Sequence, residues 1–254
     1  MSSGFQLGQS DRIATARLDA PPLNILDLAT MAELIAAIDD LAKEETIACL
    51  VIRGSQKAFS AGVSVADHTR DKIETMLDRF HSLLSRLEEF PAPVLAAIEG
   101  HCLGGGMELA MACDLRVASD RARFSQPEIR LACFPPYAAV RYPKQLGAAT
   151  TADLIMTGRT LAADQALAAG VVSRVFDAAD FDLHLSQLLE EIMSSSTPVL
   201  RLAKQAMRST LGRSDDASLA EAERIYCHEL TRLHDLDEGL AAFTEKRPPK
   251  WQHS

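Results

Sequence analysis

The chain has 254 residues, a formal net charge of −9, 47% hydrophobic residues and 24% charged residues. That balance describes an ordinary globular chain, long enough to bury a core without disulfides or structural metal. The acidic excess disfavours a nucleic-acid binder, which needs clustered Lys and Arg, and no uncharged apolar run approaches the roughly 18 residues of a membrane span.

The five cysteines are widely spaced with no C-x-x-C pair and read as free thiols of a reducing cytoplasm. The start, Met1 to Arg12, lacks the apolar stretch of a secretory signal.

Ile13 to Leu18 reads as a short strand, followed by a turn at Pro21-Pro22. Leu28, Met31, Leu34, Ile35, Ile38 and Leu41 recur at helical spacing and predict an amphipathic helix. Cys49 to Ile52 is a continuous apolar run ending at Gly54, the pattern of a buried parallel strand. A helix pattern covers about Asp71 to Glu89 and stops before Pro91; Val94 to Ile98 is the next strand. This alternation implies an α/β fold with right-handed crossovers.

From Ala138 onward the pattern is mostly helical. A helix is expected over Thr160 to Gly170 with a Thr cap and a Gly stop, then a last strand over Val171 to Phe176. Pro198 is expected to open another helix, and one long helix to run from about Ala217 to Phe243. The division expected is a catalytic core over 1–195 and a helical region over 196–254.

Three segments carry chemistry. In Ile98 to Asp114, three consecutive glycines (104–106) follow a strand and open a helix. Free N–H groups there can face a phosphate or a developing oxyanion, although the glycines by themselves favour a tight turn with close helix packing. Glu108 lies in the first turn of an otherwise apolar helix segment. Burial there raises a carboxylate's pKa and suits it to acid–base work near neutral pH. Glu128 stands in the proline-rich segment Phe124 to Pro136, where a loop is expected. The third segment, Lys57 to Val65, places small residues after a buried strand.

Together these segments resemble the crotonase (enoyl-CoA hydratase/isomerase) superfamily over nearly the whole chain. Lys57-Ala-Phe-Ser-Ala-Gly-Val63 is similar to the family's K-A-F-x-A-G loop, Leu103-Gly-Gly-Gly-Met-Glu-Leu-Ala110 to its L-G-G-G-x-E-L-A signature, and Phe124-Ser-Gln-Pro-Glu128 to its F-x-Q-P-E loop. Leu23-Asn24 corresponds to an A-L-N segment near the start. The resemblance implies a spiral of βαβ units with helical C-terminal trimerisation elements, and a homotrimer or a hexamer built as a dimer of trimers.

It further implies an oxyanion hole from the backbone N–H groups of Val63 and Gly105. Fixed donors of this kind contribute about 3–4 kcal/mol each to the stabilisation of an enolate. Glu108 and Glu128 match the two glutamates of the family's hydratases, which hold a water between them. Pro22, Leu23, Ala61 and Lys246 match CoA-contacting positions; Lys246 reads equally as a plain surface charge. The expected partner is an acyl-CoA substrate, with CoA as part of that substrate and no permanently bound cofactor, metal, nucleic acid or membrane.

Departures from the family pattern point to the acyl group. Ser64 and Ala66 replace a common Asp and Lys, and Pro136 replaces a glycine whose N–H can assist the second carboxylate. Residues 60–69 with Phe134-Pro135-Pro136 look like the cyclohexa-1,5-diene-1-carbonyl-CoA hydratase branch of aromatic degradation. Asp67, His68 and Pro136 would then lie near the acyl pocket. Double-bond isomerisation and other crotonase reactions stay open. A rival from another class is a serine hydrolase using Ser60, since Ala58 to Gly62 is a relaxed G-x-S-x-G.

Overall fold

The computed structural model describes residues 4–209 and 215–254. Ten helices and ten strands are assigned there, and strands alternate between two sheets. After the hairpin β1 (Phe5–Ser10) and β2 (Ile13–Leu18) comes α1 (Leu28–Leu41), opened by Asp27, whose carboxylate accepts from Thr30 N–H at 2.8 Å. Then β3 (Cys49–Arg53) leads into β4 (Ala58–Ser60) and α2 (Ile73–Glu89). Next, β5 (Val94–Ile98) leads into β6 (His101–Leu103) and α3 (Gly105–Met111). In the third repeat β7 (Leu115–Ser119) leads into β8 (Arg123–Ser125).

Each repeat thus places its first strand in a six-stranded sheet and its second in a four-stranded one. β9 (Thr160–Ala162) and β10 (Arg174–Phe176) complete the sheet orders β1-β2-β3-β5-β7-β10 and β4-β6-β8-β9. The pairs β2–β3, β3–β5, β5–β7 and β7–β10 are parallel. Stacked repeats of this kind form the expected α/β spiral.

The larger sheet is buried on both faces, and period-two alternation divides its residues. Leu50, Ile52, Val94 and Ala96 face a core shared with Met31, Leu34, Phe80 and Leu84 of α1 and α2. Cys49, Val51, Leu95 and Ala97 face Phe181, Leu185 and Leu188 of α7 (Phe181–Met193).

Along the chain, α4 (Pro136–Leu146), α5 (Ala148–Thr157) and α6 (Ala163–Ala168) come after β8 and before α7. The chain ends in α8 (Thr197–Ser209), α9 (Asp215–His228) and α10 (His234–Glu245). The boundary expected at 196 falls in the short connection between α7 and α8.

Several expected elements are corrected. The helix expected from Thr160 begins only at Ala163, because Thr160–Ala162 pairs antiparallel with β8. The N-cap residue is Ala162, whose own N–H donates to Gln165 Oε1 at 2.9 Å, so the threonine does not cap the helix. The strand expected over Val171 to Phe176 narrows to its last three residues.

The single long C-terminal helix is broken by a 3-10 turn at Leu230–Arg232 and an extended Leu233. The break redirects α10 so that buried Asp235 accepts the N–H groups of Gln252 at 2.7 Å and His253 at 3.0 Å. Pro198 does open α8 in its first turn.

Candidate active site

The ends of β4, β6 and β8 surround a cavity of about 360 Å³. It receives both carboxylates: Glu108 from the first turn of α3 and Glu128 from a 3-10 turn at Pro127–Leu131. Glu108 is 4% exposed and Glu128 half-buried. Side chains of α2, among them Met76 and Phe80, form an apolar wall, and Leu131, Phe134 and Pro136 form another.

Glycine makes the convergence possible. Gly104, at φ 53° and ψ −130°, precedes α3, and a Cβ there would come 2.7 Å from Glu128 Oε1. Only a residue without Cβ adopts that backbone cheaply and lets the carboxylate lie over it. Gly105 follows with similarly close packing, since a Cβ on it would meet Val63 Cγ2 at 2.9 Å.

Two backbone N–H groups sit beside each other at this contact. In the parallel bridge of Leu26 with Val63, Leu26 N–H donates to the Gly62 carbonyl and Ser64 N–H donates to the Leu26 carbonyl, both at 2.9 Å. The N–H of Val63 therefore faces away from Leu26. Gly105 is the first residue of α3, so its N–H has no intrahelical acceptor and carries the positive end of the helix dipole. Val63 and Gly105 both line the cavity. Such a pair can bind a carbonyl oxygen that gains negative charge.

Environment sets the carboxylate chemistry. Burial pushes Glu108 up to about 8; the N–H of Ala138 opposes this, the charge of Glu128 adds to it and the N–H of Tyr137 opposes it. Glu108 Oε1 accepts from Ala138 N–H at 2.9 Å, in the first turn of α4. Burial also pushes Glu128 up to about 7.

The fully buried carboxamide of Gln126 lies next to Glu128. With its oxygen toward the Tyr142 hydroxyl, 2.7 Å away, its nitrogen lies 3.2 Å from each Glu128 oxygen and 3.2 Å from the Gly104 carbonyl. The reverse orientation sets an amide oxygen against those same acceptors, so the donor-inward orientation is adopted.

The remaining expected positions divide. Ala61, His68 and Pro136 line the cavity. His68 Nδ1–H donates to the Ser64 carbonyl at 2.9 Å. Asp67 is buried outside the lining, with Lys72 Nζ 3.4 Å away. Pro22 is exposed, and Leu23 lies outside the cavity lining, its carbonyl accepting from Ala61 N–H at 2.9 Å. Lys246 is exposed at the end of α10 and does not line this cavity. Pro136 opens α4, and the free N–H groups of its first turn, at Ala138 and Tyr137, bear on Glu108.

Ser60 is fully buried, donates to the Asn24 carbonyl at 2.7 Å and accepts from Gly62 N–H at 3.0 Å. Its hydroxyl is committed to the loop that carries Val63, which disfavours a nucleophile there. Asn24 Nδ2 in turn donates to the carbonyls of Ala58 and Phe59. Sequence reasoning did not assign site roles to Asn24, Gln126 or Tyr142. For Gln126 the signal was its place two residues before Glu128; for Tyr142 no local signal existed.

Fold and site together define an α/β protein in which two carboxylates of raised pKa and two cavity-lining backbone N–H groups meet at one cavity. The chain belongs to the enoyl-CoA hydratase/isomerase family, whose model matches residues 8–254. It is 36% identical over 253 residues to a probable enoyl-CoA hydratase, echA8, of Mycobacterium tuberculosis, covering 96% of each chain. It is 33% identical to cyclohexa-1,5-dienecarbonyl-CoA hydratase of Thauera aromatica, covering 93% of this chain and 92% of that one. The crystal structure of an enoyl-CoA hydratase from Bacillus anthracis superposes with a TM-score of 0.94 at 28% identity, covering 99% of this chain and 100% of that one.

Proposed function

We propose that the chain is a lyase that adds water across the double bond of an enoyl-CoA thioester. The observation that carries this reading is the convergence of Glu108 and Glu128, both with raised pKa, on the cavity where Val63 and Gly105 present N–H groups. The thioester carbonyl accepts from those two donors. A water held between the carboxylates gives a proton to the ionised one as its oxygen bonds to the β-carbon. Charge moves onto the thioester oxygen as an enolate, and the protonated carboxyl then delivers a proton to the α-carbon. The sum is one water added, with no oxidant or reductant consumed.

The finer reading is a cyclic dienoyl-CoA substrate. Its support is the 60–69 segment, the apolar wall of Phe134 and Pro136, and the similarity to the Thauera aromatica enzyme. Pro22, Leu23 and Ala61 are assigned to CoA, and Lys246 to CoA phosphate from a neighbouring subunit. A homotrimer or dimer of trimers fits the exposed Leu240 and Phe243 of α10 and Tyr226 of α9. The free cysteines fit a cytoplasmic setting; no described helix is long and apolar enough to cross a membrane.

The test is mass spectrometry of an acyl-CoA panel that includes straight-chain enoyl and cyclic dienoyl thioesters. The expected result is the mass gain of one water, lost in Glu108→Gln and Glu128→Gln. Isomerisation or thioester hydrolysis without hydration would overturn the reading. A fully active Glu128→Gln enzyme would overturn the two-carboxylate mechanism.

A further inference from the structure

One face of α4 serves both carboxylates. The buried residues of this helix are Ala138 and Tyr142, four apart and so stacked one turn above the other. Ala138 reaches Glu108 directly through its main-chain N–H. Tyr142 reaches Glu128 through one intermediate, the carboxamide of Gln126.

We propose that Tyr142 is a positioning residue for the reaction: by donating to the Gln126 carboxamide oxygen, its hydroxyl locks the amide nitrogen onto the Glu128 carboxylate. This inference rests on the reading of Glu128 as one of the two proton-handling groups.

The hydroxyl of Tyr142 is completely buried, and Gln126 is its hydrogen-bonding partner among the described residues. A buried O–H needs an acceptor, and the Gln126 oxygen supplies it at 2.7 Å. Turning the amide over orphans the hydroxyl proton and sets the amide oxygen against the Gly104 carbonyl and the Glu128 carboxylate. With Glu128 ionised, a single arrangement therefore satisfies the hydroxyl, the amide and both acceptors at once. Burial also holds the phenol far above its ordinary pKa, so the hydroxyl keeps the proton it donates.

Without that hydroxyl, the amide is free to turn. A turned amide accepts from protonated Glu128 instead of donating to the carboxylate. Both changes favour the acid form, so Glu128 holds its proton to higher pH.

The experiment measures the pH dependence of kcat/KM for Tyr142→Phe, Gln126→Leu and the double variant. The substrate is an enoyl-CoA that the wild type hydrates, and Glu128→Gln is assayed alongside. Tyr142→Phe keeps the ring that fills the core. Its acid limb is expected to move upward by about half a unit to one unit, the size of a lost donor to a carboxylate. Gln126→Leu should shift the limb in the same direction. The double variant should shift no further than Gln126→Leu, because the tyrosine acts only through the amide.

An unshifted Tyr142→Phe profile, a rate loss equal at every pH, or shifts that add in the double variant would overturn the inference. If Glu128→Gln is as active as wild type, the carboxylate reading falls and takes this one with it. If Glu128→Gln is inactive and Tyr142→Phe is unshifted, the role of Tyr142 alone falls.

Discussion

The main-chain N–H of Ala138 donates to Glu108 Oε1 at 2.9 Å, from the first turn of a helix that opens on Pro136. Burial and this bond oppose each other, and burial prevails, leaving Glu108 at about 8 beside Glu128 at about 7. Two like-charged neighbours titrate as a pair with two apparent pKa values. Water addition by the pair needs one carboxylate and one carboxylic acid. Below the lower value both are protonated and no base is left; above the higher value both are ionised and no acid is left. The expected kcat/KM profile is a bell whose two limbs both lie above the ordinary carboxylate value, because burial raises both groups. An acid limb at the ordinary carboxylate value would contradict the assignment.

Gly104→Ala should damage the site while leaving the cavity walls in place. The added Cβ would come 2.7 Å from Glu128 Oε1, on a backbone with φ 53° that side chains rarely adopt. The carboxylate must move, and misplacement of a reacting group by about 1 Å costs on the order of 100-fold in rate. The loss should fall on kcat, because the proposed reading gives the thioester carbonyl to Val63 and Gly105 rather than to Glu128. Steady-state kinetics on one enoyl-CoA decides it: a loss carried wholly by KM would refute the placement of Glu128 over this glycine.

The parts of this site that a linear sequence displays are those fixed by short-range rules. Glu108 stood out because a carboxylate in an apolar helix is costly, and the glycines because a strand-to-helix turn needs them. The larger sheet was legible where strands are five or six residues long and apolar. Strand β1 was not, because all but its first residue are exposed and show no alternation. The three-residue strands β4, β6, β8 and β9 are too short for any period. The partnership of Tyr142 with Gln126 spans 16 residues, and that of Ala138 with Glu108 spans 30. Such contacts belong to the packing of α4 on α3 and on the segment that follows β8, which no local pattern encodes. The break before α10 was hidden for the same reason: its purpose lies in Asp235 meeting the returning tail.

Ser60→Ala separates a structural hydroxyl from a nucleophile. The serine bridges the Asn24 carbonyl and Gly62 N–H inside the core. Removing it leaves two buried groups short of a partner, at a cost of about 1–3 kcal/mol. The melting temperature should fall, and the loop bearing Val63 should loosen. Hydration should persist within about tenfold, since no reacting atom is removed; loss of a nucleophile instead costs several orders of magnitude. Thermal melts and initial rates on the same preparation report both effects. An intact melting temperature with abolished turnover would restore Ser60 as a reacting group.

Glu108 should weaken the fold it serves, in a way that depends on pH. Its folded pKa is raised from 4.5 to about 8, so the folded chain keeps a proton that the unfolded chain has already released. Stability attributable to this group therefore falls as pH climbs through that window and levels off above about 8. Glu108→Gln places a neutral amide there, whose oxygen can still accept from Ala138 N–H. The variant should be catalytically dead yet gain stability relative to wild type as pH rises from about 5 to about 8, by on the order of a few kcal/mol. Chemical denaturation of both proteins at several pH values measures the difference directly. A difference that stays constant with pH, or shrinks towards pH 8, would mean that Glu108 is not held protonated by its burial.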